Sequence, residues 1–298
     1  MNKSNSGFFA LLLAAFIYAT FGIYIRVLNQ DLSVYQQIFL RGLVGFVIAS
    51  GMIFLFKKRI NFSAVSKKIL FGYAVLLPLT VILFTLAVLT TKLATVLFGF
   101  YVGMLISSLA FGVWFFKEKV DLSKKIAFGL AVIGLVIYTY PLNMSSFNLG
   151  LGLSLIAGVM DTVSNSLRKQ LSNKVDRFGL VSLQLLGMAI VSLPFVIFTL
   201  NGAMPSISPV SWLVAIWFGL MLMVVNYLLL YGFAKFDLNL GTIVLSSELF
   251  FVAIIGILIY NETVTITEWV GVGLIILAMV TTSVDVNKFV KKLKFSLN

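Results

Sequence analysis

Ten of the 298 residues are acidic, and two of those, Glu248 and Asp161, lie deep inside long apolar runs. Glu248 stands about eight residues into the run 240–260, between Leu245 and Phe251. A carboxylate near the centre of a bilayer costs roughly 2.5–3.5 kcal/mol on insertion scales, so it should face a cavity or a partner. It suits two kinds of chemistry, carrying a coupling proton or contacting a cationic or zwitterionic substrate. A structural hydrogen bond to a neighbouring helix is the plainer alternative. Asp161 belongs to a second pattern. Ser154, Asp161, Ser164, Asn165 and Arg168 share one stripe at helical spacing, a face that should line water or another polar surface. Asp161 then pairs with Arg168 or Asn165 on its own helix, or with a substrate amine.

Other polar residues in apolar runs could complete such a site. They are Tyr18 and Thr20 in the first run, Tyr101 in the fourth, Asn226 and Tyr227 in the eighth and Ser247 in the ninth. Packing or interfacial anchoring serves each of them as well. Arg41, near the outer end of the second run, is expected to snorkel to the interface, with binding of a substrate carboxylate as the alternative. Arg26 and Lys92 are read as interfacial. Glu118 and Glu262 follow the fourth and ninth runs, just before Ser123 and Thr267, whose hydroxyls read as N-caps of the next helices. An acid near a helix N-terminus suits the dipole, so the pair is expected to pin two turns. The chain has neither histidine nor cysteine. Proton chemistry is left to carboxylates, tyrosine and lysine, and no metal site or cofactor is expected.

The elements that must position these residues are apolar runs of spanning length, at 8–27, 35–56, 68–88, 93–116, 123–140, 149–168, 178–200, 209–233, 240–260 and 267–285. About 20 residues of helix cross a bilayer. A signal-peptide core is shorter than the first run, which is therefore expected to be retained. The runs do not alternate polar and apolar residues, which excludes a β-barrel, and backbone in lipid must satisfy itself, which makes them helices. With 60% hydrophobic and 11% charged residues, the chain has too little polar surface for a soluble fold. The expected fold class is an all-α integral membrane protein of ten transmembrane helices. Pro78 and Pro194 interrupt the third and seventh runs and can kink them, and Gly99 and Gly103 permit close helix approach.

The net charge of +12 has an explanation in topology. With the N-terminus in the cytoplasm, 19 of the 22 Lys and Arg residues fall on the inner side, and segments 141–148, 201–208 and 261–266 carry none. That asymmetry predicts both termini inside. The basic residues cluster between apolar runs, so no nucleic-acid partner is expected; the basic tail 286–298 suits an anionic lipid surface instead.

The chain also repeats itself at an offset of 144 residues. Glu118, Val120, Ser123 and Gly129 correspond to Glu262, Val264, Thr267 and Gly273. Each stretch closes a block of five runs. Five is odd, so the second block enters the membrane from the opposite side, an inverted repeat of the kind common in secondary transporters. The doubled signature of Glu, then Val, then Ser or Thr, then Gly resembles the EamA-like branch of the drug/metabolite transporter superfamily over essentially the whole chain. The resemblance implies two repeats, at 1–141 and 148–285. It also implies a substrate cavity between them, lined by helices one, three, four, six, eight and nine, and alternating access driven by a gradient or by exchange.

The expected function is a secondary active transporter in the cytoplasmic (inner) membrane. It is expected to export a small polar metabolite such as an amino acid, with protons as the candidate coupling ion. The two deep carboxylates outnumber the one deep arginine, Arg41, which favours a zwitterionic or cationic substrate. No Walker motif is present, so ATP is not the driver. An intramembrane enzyme lacks its means here: there is no His, no Cys, no aspartate pair at metal-binding spacing and no Gly-x-Ser-x-Gly elbow. A non-transporting membrane scaffold or receptor is the alternative from another class.

Overall fold

A computed structural model of the chain describes residues 3–91, 93–140, 149–199, 206–261 and 263–283. The described residues form helices and no strand. In chain order they are α1 (Lys3–Leu28), α2 (Val34–Leu55), α3 (Lys67–Thr90), α4 (Leu93–Trp114), α5 (Leu122–Tyr138), α6 (Leu149–Leu171), α7 (Arg177–Thr199), α8 (Pro209–Phe233), α9 (Leu238–Leu245), α10 (Glu248–Tyr260) and α11 (Ile266–Ser283). A helix covers most of the described part of each apolar run, and the run 240–260 is divided at Ser246 and Ser247. Pro78 and Pro194 lie within continuous helices. Lys92, Glu262 and the basic tail 286–298 lie outside the described residues.

Seven helices, counting α9 and α10 as one, are long and apolar enough to cross a membrane. α6 departs from them because of its polar stripe, and that stripe meets protein instead of lipid: α6 packs on α3, α4 and α8. The bundle is built by pairing one half of the chain with the other. α2 packs on α7 and α5 on α11, each helix against its counterpart in the repeat. The contact of α3 with α6 is mirrored by α8 with α1, and that of α4 with α6 by α9 and α10 with α1. Neither half has its main packing partners within itself, so the halves assemble around one shared interior.

The repeat is visible in backbone geometry. Lys117 and Asn261, 144 residues apart, both have left-handed φ, 51° and 50°. Asp121 and Thr265 follow at the same offset, and these are the caps. Asp121 accepts from the Lys124 amide at 2.9 Å. Thr265 accepts from the Glu268 amide at 3.3 Å, while Glu268 Oε2 accepts from the Thr265 amide at 2.7 Å. The expectation that Ser123 and Thr267 cap these helices is thus corrected by two residues. Ser123 is buried inside the first turn of α5, because the left-handed residue turns the chain into the helix earlier than hydroxyl spacing suggests.

Glycines set the spacing of the inter-half contacts. A Cβ on Gly99 would lie 2.1 Å from Ser154 Oγ, and one on Gly103 2.3 Å from the Leu155 carbonyl oxygen. From the facing helix, a Cβ on Gly158 would lie 2.0 Å from the Phe100 carbonyl oxygen. α4 and α6 therefore meet backbone to backbone, as small residues allow. Gly158→Ala should destabilise the protein by about 1–3 kcal/mol, since the obstructing atoms are main chain. Gly152→Ala, with nothing within 4 Å, should be neutral or stabilising. Unfolding midpoints of the two variants in detergent provide the check.

Candidate functional site

The basic and apolar halves of the pattern meet at two places, a latch at one end of the bundle and a cavity that opens at the other. At the lysine-rich end, the turn after α4 carries Glu118. Its carboxylate accepts from the backbone amides of Leu238 at 2.8 Å and Asn239 at 3.4 Å, the first turn of α9. The Lys169 ammonium of α6 donates to it at 2.6 Å. Asp237, which precedes α9, makes no side-chain cap; it pairs with Lys124 at 2.6 Å instead. Glu118 therefore does act on a helix N-terminus, but on that of α9 in the other half and not of the helix that follows it. The favourable interaction of a carboxylate with a helix N-terminus is spent on closing the two halves against each other. Gly112 leaves the room: a Cβ there would lie 2.8 Å from Glu118 Oε2.

Toward the opposite end lies a cavity of about 370 Å³. It is walled by α1, α3, α4, α8 and α10 and touched by Arg41 of α2, Asp161 of α6 and Leu245 of α9. Most of the wall is apolar, including Leu77, Phe84, Leu97, Phe100 and Leu222. Arg26 and Tyr260 stand at the mouth, the guanidinium 4.4 Å from the ring centre, and Arg26 is exposed. Among the residues singled out in the sequence, Glu248, Asp161, Tyr18 and Tyr101 converge on this cavity.

Glu248 owes its position to the helix break. Around Ser246 and Ser247 the backbone tightens to bonds three residues apart, Ser247 to Val244 at 3.1 Å and Leu249 to Ser246 at 3.2 Å. This puts Glu248 in the first turn of α10 and frees the Leu245 carbonyl. Tyr101 of α4 donates to that carbonyl at 3.1 Å and also bonds Glu248 Oε2. A tyrosine hydroxyl has one hydrogen. When it points to Leu245, the contact with Glu248 needs a proton on the carboxyl; when it points to Glu248, it solvates a carboxylate. The pair accommodates Glu248 in either protonation state without moving a helix.

The remaining site residues of the sequence reading lie behind the cavity wall. Arg168 is fully buried. It donates to Asn165 Oδ1 at 2.5 Å, Asn226 Oδ1 at 2.8 Å and Gln184 Oε1 at 3.3 Å, and its charge lies 3.9 Å from Asp161 Oδ1. Asn165 Nδ2 donates back to Asp161 at 2.8 Å, and Gln184 Nε2 donates to Ser164 at 3.2 Å. The stripe of α6 is thus a buried network tying α6, α7 and α8 together, and only its Asp161 reaches the cavity. Ser247 donates to the Val244 carbonyl at 2.7 Å within the helix break. Tyr227 packs its ring against Phe178. Thr20 donates to the Ile17 carbonyl at 2.6 Å.

Sequence reasoning missed Gln184, whose one signal is an amide in the middle of the seventh apolar run. It also missed the aromatic wall, for which 28 phenylalanines offer no way to choose. Arg41 corrects an expectation. It does not snorkel: only 4% of its surface is exposed, because α2 turns it inward over the ring of Phe218, 4.7 Å away.

Fold and site define an all-helical membrane protein of two repeats around a shared cavity. The chain matches the EamA-like transporter family over residues 5–140 and again over 148–284, and it belongs to that family. A solved crystal structure aligns with a TM-score of 0.79 at 12% identity, covering 94% of this chain and 98% of the other, a likeness of fold alone. No curated protein matches the chain at a significant level.

Replacing Arg168 with leucine removes the common partner of Asp161, Asn165, Gln184 and Asn226. Breaking a buried ion pair of this kind costs about 3–5 kcal/mol. Arg168→Leu should therefore accumulate poorly in membranes and unfold at a markedly lower temperature, measured on detergent-purified protein.

Proposed function

We propose that the protein is a secondary active transporter that exports a small polar metabolite, such as an amino acid, across the cytoplasmic membrane by alternating access. The observation that carries this reading is the pairing of an acid-floored cavity, open at one end, with a charged latch that closes the other. Such an arrangement is one of the two end states that alternating access requires. On this reading the chain crosses the membrane ten times, α9 and α10 together making the ninth crossing, and both termini are cytoplasmic. The mouth then faces outward, and the state described is the one that releases exported cargo.

Glu248 is the coupling residue. Asp161 has Arg168 beside it, whereas among the described residues Glu248 has the Tyr101 hydroxyl and no cation, so a proton or a substrate cation meets its charge. Tyr18 lines the same floor. Asn165, Ser164 and Asn226 act through Arg168 by holding Asp161 in place, and Ser247 and Tyr227 support the helices that carry the floor. Glu118 is the structural latch, a role that its repeat counterpart Glu262 shares only by sequence.

The test uses liposomes loaded with a pooled metabolite library. Wild-type flux should require a pH gradient, and Glu248→Gln should lose at least tenfold of it. Equal flux in both proteins defeats proton coupling and leaves exchange or facilitated diffusion. No flux of any compound through folded protein moves the assignment to a scaffold or receptor.

Opening of the latch has its own readout, because the chain contains no cysteine. Asn239 is 2% exposed and sits beside Glu118. A cysteine placed there should react slowly with an impermeant maleimide applied at the lysine-rich side. Adding Glu118→Gln should raise that rate severalfold. An unchanged rate means the latch does not hold the end closed.

A further inference from the structure

Arg41 is 96% buried by the complement of its exposure, lies on the wall of the cavity, and its Nε has no hydrogen-bond partner among the described residues. None of the ion pairs among those residues includes it. The ring of Phe218 lies under the guanidinium. A cation–π contact orients the guanidinium plane but accepts none of its N–H donors. The other deep arginine differs at its terminal nitrogens: Arg168, whose Nε is likewise unpartnered, donates from Nη1 and Nη2 to two asparagines and a glutamine and lies beside an aspartate, whereas Arg41 makes no such contact among the described residues. An uncompensated buried charge is costly, more so at membrane depth. Arg41 thus lacks a partner that the cavity's occupant can bring, and a guanidinium fork fits a carboxylate.

The opposite charge is also present and also unpaired. Among the described residues Glu248 has a tyrosine hydroxyl and no cation. Counting from the helix ends at the mouth, Arg41 lies about two turns deep and Glu248 just over three, a difference of roughly 7 Å at about 5.4 Å per turn. The two form no ion pair with each other among the described residues, and the offset leaves room for one small zwitterionic headgroup that makes a charge-assisted contact with each.

We propose that Arg41 is the anion site of the cavity, taking the carboxylate of a zwitterion whose ammonium group lies at Glu248 and whose apolar body packs on Leu97, Phe100 and Leu222. This rests on reading the cavity as the transport site. Charge balance selects the class: with Asp161 met by Arg168 and Arg26 exposed at the mouth, one unpaired buried cation, Arg41, and one unpaired acid, Glu248, are left among the described residues, and they match a zwitterion. A phosphate monoester carries about −1.5 to −2 charge and would face Glu248 uncompensated.

The experiment measures binding to purified protein with leucine and phenylalanine, each alongside its decarboxylated amine and its deaminated acid. Wild type should bind at least one of the two amino acids more tightly than the matching amine or acid. Arg41→Gln should weaken that amino acid and its acid at least tenfold while leaving the amine within about twofold. Arg41→Lys, which keeps the charge and loses the fork, should fall between. Glu248→Gln should show the reverse pattern, sparing the acid. Because Arg41→Gln removes an uncompensated charge, it should unfold no lower than wild type, whereas a merely structural arginine would lower the midpoint.

Unaltered amino-acid binding by folded Arg41→Gln overturns the proposal. So does a wild type that binds neither amino acid. Flux of other compounds in the pooled assay would then leave the transport reading standing without it. Arg41-dependent binding with no flux upholds the anion site and removes the transport reading.

Discussion

A guanidinium buried among helices that lie in lipid has no water to solvate it, and the placement of Arg168 follows from that constraint. Its charge is met by Asp161 and its two terminal nitrogens by Asn165, Asn226 and Gln184, drawn from three helices. The polar stripe of α6 would exclude that helix from a bilayer if it faced lipid. Turned inward around Arg168, the same stripe binds α6, α7 and α8 into one unit. The network also fixes the electrostatics of the cavity next to it. Asp161 is compensated from behind the wall, and Glu248 has no cation beside it among the described residues. The uneven treatment of two carboxylates makes them chemically different.

The repeat is faithful in its turns and unfaithful in its chemistry. Lys117 and Asn261 share a backbone conformation, and Asp121 and Thr265 share a capping role. At the centre the counterparts diverge. Tyr101 corresponds to Leu245, and its hydroxyl bonds the carbonyl of that very residue. Glu248 corresponds to Met104. Duplication supplies two matched halves around a common interior, and divergence near their junction supplies a polar site that a symmetric interior would lack. The helix break at Ser246 and Ser247 belongs to that divergence. It is tolerated at membrane depth because protein groups take up the freed carbonyl.

Charge at the two ends of the bundle is used differently. At the lysine-rich end, Glu118, Lys169, Lys124 and Asp237 are paired with one another and with the start of α9. On the loop between α1 and α2 at the other end, Asp31 accepts from the Ser208 amide at 2.9 Å, and hydrogen bonds from Ser208 and Ser211 hold its carboxyl below the usual range. That contact joins the start of α8 to the neighbouring loop without crossing the mouth. One end is therefore closed by ion pairs between halves, and the other is left open.

Composition, the apolar runs and the 144-residue offset determined the helical membrane class, the duplicated plan and the family. These depend on properties each segment carries alone: length, hydropathy and local turn residues. The depth of Glu248 and Asp161 was legible for the same reason, since position within a run measures depth. Direction around a helix was not legible in an all-apolar run, where no hydrophobic face stands out. Arg41 therefore looked interfacial until α2 was seen packed with that face inward, and Ser164, Asn165 and Asn226 looked like cavity residues until Arg168 was seen gathering them. The cap that Glu118 provides for α9 links residues 120 positions apart. No local pattern encodes it, and only the meeting of the two halves brings that carboxylate to its amides.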